Sequence, residues 1–134
     1  MILDKSEWRV VEKPRELLKI ISGRFGIQPD ASIEYLPNGR KLYFEVKKQE
    51  DSGNAEERAC KHHTAQFQKE IHELFGYSYH PFTFIACDKL ATLERYTVKY
   101  PFYFEPDHYF CWVDYDLDAL ADYIARIADR WLIH

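Results

Sequence analysis

The sequence predicts an α/β domain in which helices flank a mixed β-sheet. Three observations support this fold class: apolar residues alternate in some segments, they recur at helical spacing in others, and the two kinds of segment follow each other along the chain. The 134 residues, of which 46% are hydrophobic, are enough for one buried core. Because no linker, repeat or low-complexity tract divides the chain, we predict a single domain over residues 1–134.

The first half of the chain predicts a helix followed by a β-hairpin. Pro14 suits the first turn of a helix, and the apolar residues after it give that helix one buried face up to Gly23. Residues 31–35 and 41–47 then predict two strands. The Asn38-Gly39 pair between them predicts a two-residue type I′ turn, because that turn needs positive φ at both central positions.

The second half predicts two helices with strands between them. Asn54 is expected to cap a helix that runs to Gly76. Residues 81–87 predict a buried strand, and the aromatic stretch 95–114 predicts two further strands that pack in the core rather than against bases. Asp116 is expected to cap the last helix, whose apolar residues recur every three or four positions.

The charge of the chain neither favours nor excludes nucleic-acid binding. A net charge of −4 does not favour a nonspecific binder, since contacts to phosphates need lysine and arginine. The distribution is uneven, however, because basic residues prevail between Arg40 and Lys69 and acidic residues prevail between Glu105 and His134. A DNA enzyme with a basic working side and an acidic back would show this pattern.

Cysteine usage and hydropathy predict a cytoplasmic protein. The three cysteines, Cys60, Cys87 and Cys111, have no spacing typical of a disulfide framework and are expected to be reduced thiols. The first residues contain no apolar run typical of a signal peptide, and no stretch of the sequence is long enough to span a bilayer.

The predicted hairpin brings three charged side chains together. A two-residue loop would place Asp30 opposite Lys47 and Ser32 opposite Glu45, so that Asp30 and Glu45 become diagonal neighbours roughly 7–8 Å apart. Glu45 and Lys47 are two residues apart on one strand and therefore point to the same side.

This arrangement predicts a magnesium site. Mg²⁺ prefers a few carboxylate oxygens together with water, which Asp30 and Glu45 could supply. The bound cation would activate a water molecule and stabilise charge on a scissile phosphate, and Lys47 could orient that water or stabilise the pentavalent phosphorus. The alternative is an ordinary surface hairpin, because a Glu-x-Lys pattern alone occurs by chance in a chain of this composition.

Three segments resemble the central block of type II restriction endonucleases of the PD-(D/E)XK superfamily, in the group that contains MunI and, more distantly, EcoRI. They are residues 26–30 (GIQPD), 45–49 (EVKKQ) and 53–61 (GNAEERACK), and a weaker likeness extends over roughly residues 20–115. The resemblance implies a PD-(D/E)XK nuclease-like fold, Asp30 and Glu45 as ligands of Mg²⁺, and Lys47 as the third catalytic residue. It also implies double-stranded DNA as substrate, a homodimer, and a cognate DNA methyltransferase in the same system.

The same resemblance implies which residues read DNA. In this group the Gly-Asn-Ala-x-Glu-Arg segment reads an AATT core in the major groove, which corresponds here to Asn54, Ala55 and Arg58, with Glu57 bracing Arg58. Arginine and asparagine do make bidentate contacts to purine edges. Without the catalytic block beside it, the segment would be an ordinary helix start with a solvated first turn.

Two departures from the group bear on specificity. The helical region expected before Pro29-Asp30 is mostly absent, so the chain is a minimal version, a fragment or an inactive remnant. The arm between Gln49 and Gly53 is short, and Ser52 stands where MunI has an arginine. We therefore expect an AATT core with little demand on the flanking base pairs, for which Lys48 and Lys61, with Arg40, are the remaining candidate contacts.

Two other functions stay open at this point. Another PD-(D/E)XK nuclease, such as a resolvase or repair enzyme, would share the catalytic residues but not the 53–58 segment. A catalytically silent DNA-binding module would bind without cutting. A zinc site at Cys60, His62 and His63 lacks a fourth ligand, and the histidines are expected to be a solvated pair or, less favoured, to face phosphate.

Overall fold

Five strands form one mixed sheet in the computed structural model, which describes residues 4–49 and 55–134. Strands 1 to 3 pair antiparallel, and strands 3 to 5 pair parallel, so the predicted fold class is confirmed. The strands are β1 (Trp8–Glu12), β2 (Ala31–Tyr35), β3 (Arg40–Gln49), β4 (Phe82–Asp88) and β5 (Tyr109–Trp112). The helices are α1 (Ala55–Ala59), α2 (Ala65–Phe75), α3 (Lys89–Thr92), α4 (Glu94–Thr97), α5 (Tyr100–Tyr103) and α6 (Leu117–Ala128).

The pleat of β3 distributes its side chains between two cores. Leu42 and Phe44 pack toward α6 with Ile85, whereas Tyr43 packs on the opposite face with Leu17. The alternation that the sequence predicts for β3 is therefore confirmed. It places Glu45 and Lys47 on the face that α1, α2 and the segment before β2 cover, and this face carries the candidate site.

Helix α6, predicted from the sequence as the last helix, covers the other face of the sheet. The Asp116 side chain accepts a hydrogen bond from the backbone N–H of Ala119 at 3.1 Å, which confirms the expected cap. Tyr123 and Ile127 are buried against the sheet, and a π-helical turn, Asp129–Ile133, continues the helix and buries Leu132.

The predicted helix over residues 14–23 is wrong. This segment forms turns, because the carbonyl of Leu17 accepts from the distant N–H of Ile27 at 3.0 Å instead of continuing a helix. Gly26 allows this close approach, since a Cβ atom there would lie 1.9 Å from the Leu17 carbonyl oxygen. Leu17 and Ile20 are nevertheless buried, so the apolar pattern identified core residues but assigned them the wrong local structure.

The hairpin is also different from the prediction. Tyr35 pairs with Arg40 across a four-residue loop, so the register is shifted by two residues and Asp30 directly adjoins Glu45. A type I′ turn is not formed because Gly39 has positive φ (71°) whereas Asn38 does not. The Asn38 side chain instead accepts from the N–H of Arg40 and donates to the carbonyl of Leu132.

The predicted helix between Asn54 and Gly76 is interrupted. It consists of α1, a 3₁₀ turn at Cys60–His63, and α2, which begins after the extended residue Thr64. The Thr64 hydroxyl accepts from the N–H of Phe67 at 3.3 Å and so starts a second helix. Gly76, at φ 75°, closes α2 as expected, while Asn54 lies outside the described residues.

Two strand assignments differ as well. The stretch 95–114 contains one strand, β5, rather than two, because Pro101 lies in the first turn of the short helix α5 and Tyr100 packs into the core from that turn. Strand β1 had no alternating pattern in the sequence, since four of its five side chains are exposed at the sheet edge. The strand expected at 81–87 is confirmed as the buried β4.

Candidate active site

Asp30 is held at the junction of β2 and β3. Its N–H donates to the carbonyl of Phe44 at 2.9 Å, and its carboxylate Oδ2 accepts from the N–H of Val46 at 2.6 Å. These two backbone contacts fix the aspartate beside the strand that carries the other two predicted catalytic residues.

Glu45 and Lys47 form an ion pair next to Asp30. The Glu45 carboxylate Oε1 lies 2.9 Å from Lys47 Nζ, and the Glu45 side chain is only 11% exposed. Burial raises the pKa of Glu45, and the negative charge of Asp30 raises it further, while Lys47 lowers it. The structure therefore brings the three residues of the predicted catalytic set together.

Of these three residues, Glu45 and Lys47 line a polar cleft of about 340 Å³. One wall comes from the segment before β2, and the opposite wall comes from α1 and the turn after it. The lining residues are Gly26, Ile27, Gln28, Glu45, Lys47, Arg58, Lys61 and His62. Arg58 and Lys61 are exposed, so two cations beyond Lys47 face the space beside the carboxylates.

His62 lines the cleft, although the sequence favoured a solvated position for it over one that faces the site. Its ring is 4% exposed, and its Nδ1 lies 3.8 Å from Glu45 Oε2. Burial, assisted by the nearby charges of Lys61 and Lys47, lowers the pKa of His62 to about 4, so the ring is neutral at pH 7. The expected solvated pair is wrong, because the tight 3₁₀ turn Cys60–His63 rotates His62 inward, which no helical spacing indicates.

Comparisons with known proteins bear on the fold. No family model matches the chain, and no curated protein matches it at a significant level. Among solved structures, the MunI restriction endonuclease in complex with cognate DNA superposes with a TM-score of 0.82 and 20% sequence identity. The superposition covers 94% of this chain and 83% of that chain.

The chain has the fold of the MunI restriction endonuclease. This confirms the fold that the three sequence segments implied. At 20% identity the likeness concerns the fold, and the residue roles within it rest on the geometry of this chain.

The residues predicted to read DNA do not all lie where such contacts would require them. Ala55 is 2% exposed and packs in the core, so the DNA contact expected of it is wrong: the residue supports α1 from the inside. The Glu57 carboxylate lies 3.7 Å from Lys99 Nζ, a different basic partner from the expected Arg58. Lys48 is exposed on β3, and Asn54 lies outside the described residues.

His63 belongs to a buried cluster instead of a zinc site. His63 Nδ1 lies 2.9 Å from His80 Nε2, and the ring of His80 stacks on that of His108 with 4.2 Å between centroids. Within residues 4–49 and 55–134, no group of three or more histidine, cysteine or acidic side chains has an arrangement that could hold a metal. Cys60, Cys87 and Cys111 are free thiols.

The carboxylate pair nevertheless fits a hard cation that keeps part of its hydration shell. Burial of Glu45 is the main cause of its raised pKa, and the negative charge of Asp30 raises it further, so the two carboxylates repel each other. A divalent cation between them would offset this repulsion and use oxygen ligands of the preferred type, with water completing its shell.

As for membranes, none of the helices in the described part of the chain is long and apolar enough to cross a bilayer.

Proposed function

We propose that this chain is a Mg²⁺-dependent type II restriction endonuclease that hydrolyses phosphodiester bonds of duplex DNA. The observation that supports it best is that Asp30 adjoins the Glu45–Lys47 ion pair, which lines a polar cleft, within a MunI-like fold. An ordinary surface hairpin would not bury Glu45 to 11% exposure beside a second carboxylate, because the charged form loses hydration there.

Each residue of the cleft has a chemical role in this proposal. Asp30 and Glu45 would hold Mg²⁺, which, when bound, supplies Lewis-acid stabilisation of the phosphate and a more acidic water. Lys47 Nζ, kept beside Glu45, donates to the water or to a phosphate oxygen. Arg58 and Lys61 neutralise the phosphate that enters the cleft, while the neutral ring of His62 excludes water behind Glu45.

Mapping of cleavage positions tests the proposal. We expect supercoiled plasmid of known sequence to be cut only with Mg²⁺ added, at sites that share an AATT core and tolerate different flanking pairs. The loss of one bidentate outer contact removes about 1–3 kcal/mol of discrimination, which relaxes that position by one or two orders of magnitude.

The ends of the products distinguish the rival functions. Cuts confined to one six-base context would contradict the relaxed flank, and cuts without AATT would contradict the proposed core. Cleavage of branched DNA in preference to the linear plasmid would favour a resolvase, and tight binding without any cut would indicate a silent DNA-binding module.

We further propose that the enzyme acts as a homodimer. A palindrome is read most simply by two symmetric protomers, each of which cuts one strand. Exposed apolar side chains at the start of α6 and in α5, Leu117 (70% exposed) and Phe102 (88% exposed), are the candidate contacts. Analytical ultracentrifugation with an AATT duplex should show two chains per duplex, whereas one chain that nicks a single strand would contradict the dimer.

The biological setting follows from the proposed reaction. An enzyme that cuts at a short palindrome would also cut the host genome, so a cognate DNA methyltransferase in the same cytoplasm is part of the proposal. Methylation of the plasmid by that partner should abolish cleavage in the same assay.

A further inference from the structure

Glu56 is a buried acid in the first turn of the short helix α1. Its side chain is fully buried, its Oε1 lies 3.0 Å from Lys99 Nζ, and its Oε2 has no hydrogen-bond partner. Taking a carboxylate out of water is costly, and an apolar residue of similar size would pack there without that cost. The charge at this position therefore calls for a role beyond packing.

Lys99 provides a firm attachment for this acid. It lies between α4 and α5, where the neighbouring Tyr96 and Tyr100 are buried against the sheet. Its Nζ contacts Glu56 and Glu57 at 3.0 and 3.7 Å, so one ammonium group joins two consecutive residues of α1. The pair spans 43 residues of sequence and links the wall of the cleft to the α4–α5 layer.

Helix α1 needs such an attachment because it contains only five residues. A helix of this length is not stable without tertiary contacts, and its other buried residues, Ala55 and Ala59, are too small to fix its rotation. Residues two positions apart in a helix point in different directions, so an inward Glu56 leaves Arg58 outward, where it lines the cleft.

We propose that Lys99 and Glu56 are positioning residues that set the direction from which Arg58 reaches DNA in the cleft. The proposal rests on the proposed function, since it gives the Glu56–Lys99 ion pair a part in how Arg58 approaches DNA. It assigns no contact with substrate to either residue. The structural alternative is that the pair contributes to the stability of the whole domain and affects Arg58 no more than any other residue.

Cleavage kinetics separate the two roles through a double-mutant cycle. We expect Lys99→Met to lower kcat/KM on the mapped duplex by about tenfold or more, and to have less than about a twofold effect when Arg58 is already alanine. Lys99→Arg should recover most of the activity because it keeps the charge and the reach. Lys5→Met, a matched change at an exposed lysine of the turn before β1, should have no effect.

Amide hydrogen exchange on the full-length variants provides a readout that does not need cleavage. We expect Lys99→Met to accelerate exchange of the amides of residues 55–61 by about tenfold while those of β4 keep their protection. If Lys99→Met does not fold, Glu56→Gln, which keeps the size and weakens the pair, should give the same local acceleration.

The outcomes are distinguishable from those of the proposed function. If the wild-type chain does not cut plasmid, the proposed function fails and the exchange measurement alone decides whether Lys99 positions α1. The positioning role would be overturned if Lys99→Met lowered kcat/KM equally with Arg58 present and with Arg58 replaced by alanine. Faster amide exchange throughout the domain in Lys99→Met would also overturn it.

Discussion

Replacing any one of Asp30, Glu45 and Lys47 by a neutral isostere is expected to lower the rate of DNA cleavage by about a thousandfold or more. The changes are Asp30→Asn, Glu45→Gln and Lys47→Met. The two acids form the carboxylate pair at which we place Mg²⁺, and the ammonium group of Lys47 lies 2.9 Å from Glu45, so each change removes a charge next to the scissile phosphate. Groups that stabilise developing charge in a site of this kind contribute about two to three orders of magnitude each, and the loss of a metal adds to this.

The measurement is single-turnover cleavage of a labelled duplex, with thermal unfolding followed in parallel. Asn at position 30 retains an acceptor for the N–H of Val46, so the fold should be preserved. Glu34→Gln, a partly buried acid on the neighbouring strand β2 that pairs with Arg9, is the matched control and should cleave normally. A near wild-type rate in any of the three active-site variants would remove that residue from the mechanism.

Acidification is expected to destabilise the protein steeply between pH 6.5 and 4. Burial lowers the pKa of His62, His63 and His80 to about 4, 2 and 3, and it also lowers that of His108. Above pH 6.5, the ordinary histidine pKa, these rings are neutral in both the folded and the unfolded chain. As pH falls below 6.5, only the unfolded chain takes up protons, so the folded state loses stability relative to it. Each such ring lowers the free energy of unfolding by about 1.4 kcal/mol per pH unit of acidification, so three rings lower it by about 4 kcal/mol per pH unit.

Urea titrations monitored by tryptophan fluorescence at several pH values measure this dependence. Glu45 acts in the opposite direction, since its pKa is raised in the folded state, but it is one group against several. His80→Phe keeps an aromatic ring against Phe82 and His108. It should reduce the slope of the unfolding free energy against pH by the amount that corresponds to about one proton. The matched change His134→Asn, at a side chain that is 71% exposed, should leave the slope unchanged. A free energy of unfolding that is constant from pH 7 to 5 would contradict the prediction.

The sequence predicted strand β3 and its alternation well because their signal is local. The period of two in β3 placed Glu45 and Lys47 on one face, and the hairpin error of two residues preserved that face, so Asp30 still reached the pair. A shift of one residue would have turned Asp30 to the other side of the sheet.

The missed features depend on contacts between distant residues. The turn structure of residues 14–23 follows from the approach of Gly26 to Leu17, which an amphipathic pattern does not encode. The inward rotation of His62 toward Glu45, and the pairing of Glu56 with Lys99, likewise join segments far apart in the chain. Single-residue propensities contain no information about such pairs.

The change from antiparallel to parallel pairing at β3 has a consequence for the order in which the domain assembles. Strands β2 and β3 are joined by a four-residue loop, so Asp30 and Glu45 can meet as soon as this hairpin closes. The union of β3 with β4 must first close a loop that contains α1 and α2, and it therefore comes later. We expect the carboxylate pair to form early, and the wall with Arg58, Lys61 and His62 to be added in the slower step. On this order, the half that would hold Mg²⁺ forms before the half that would receive DNA.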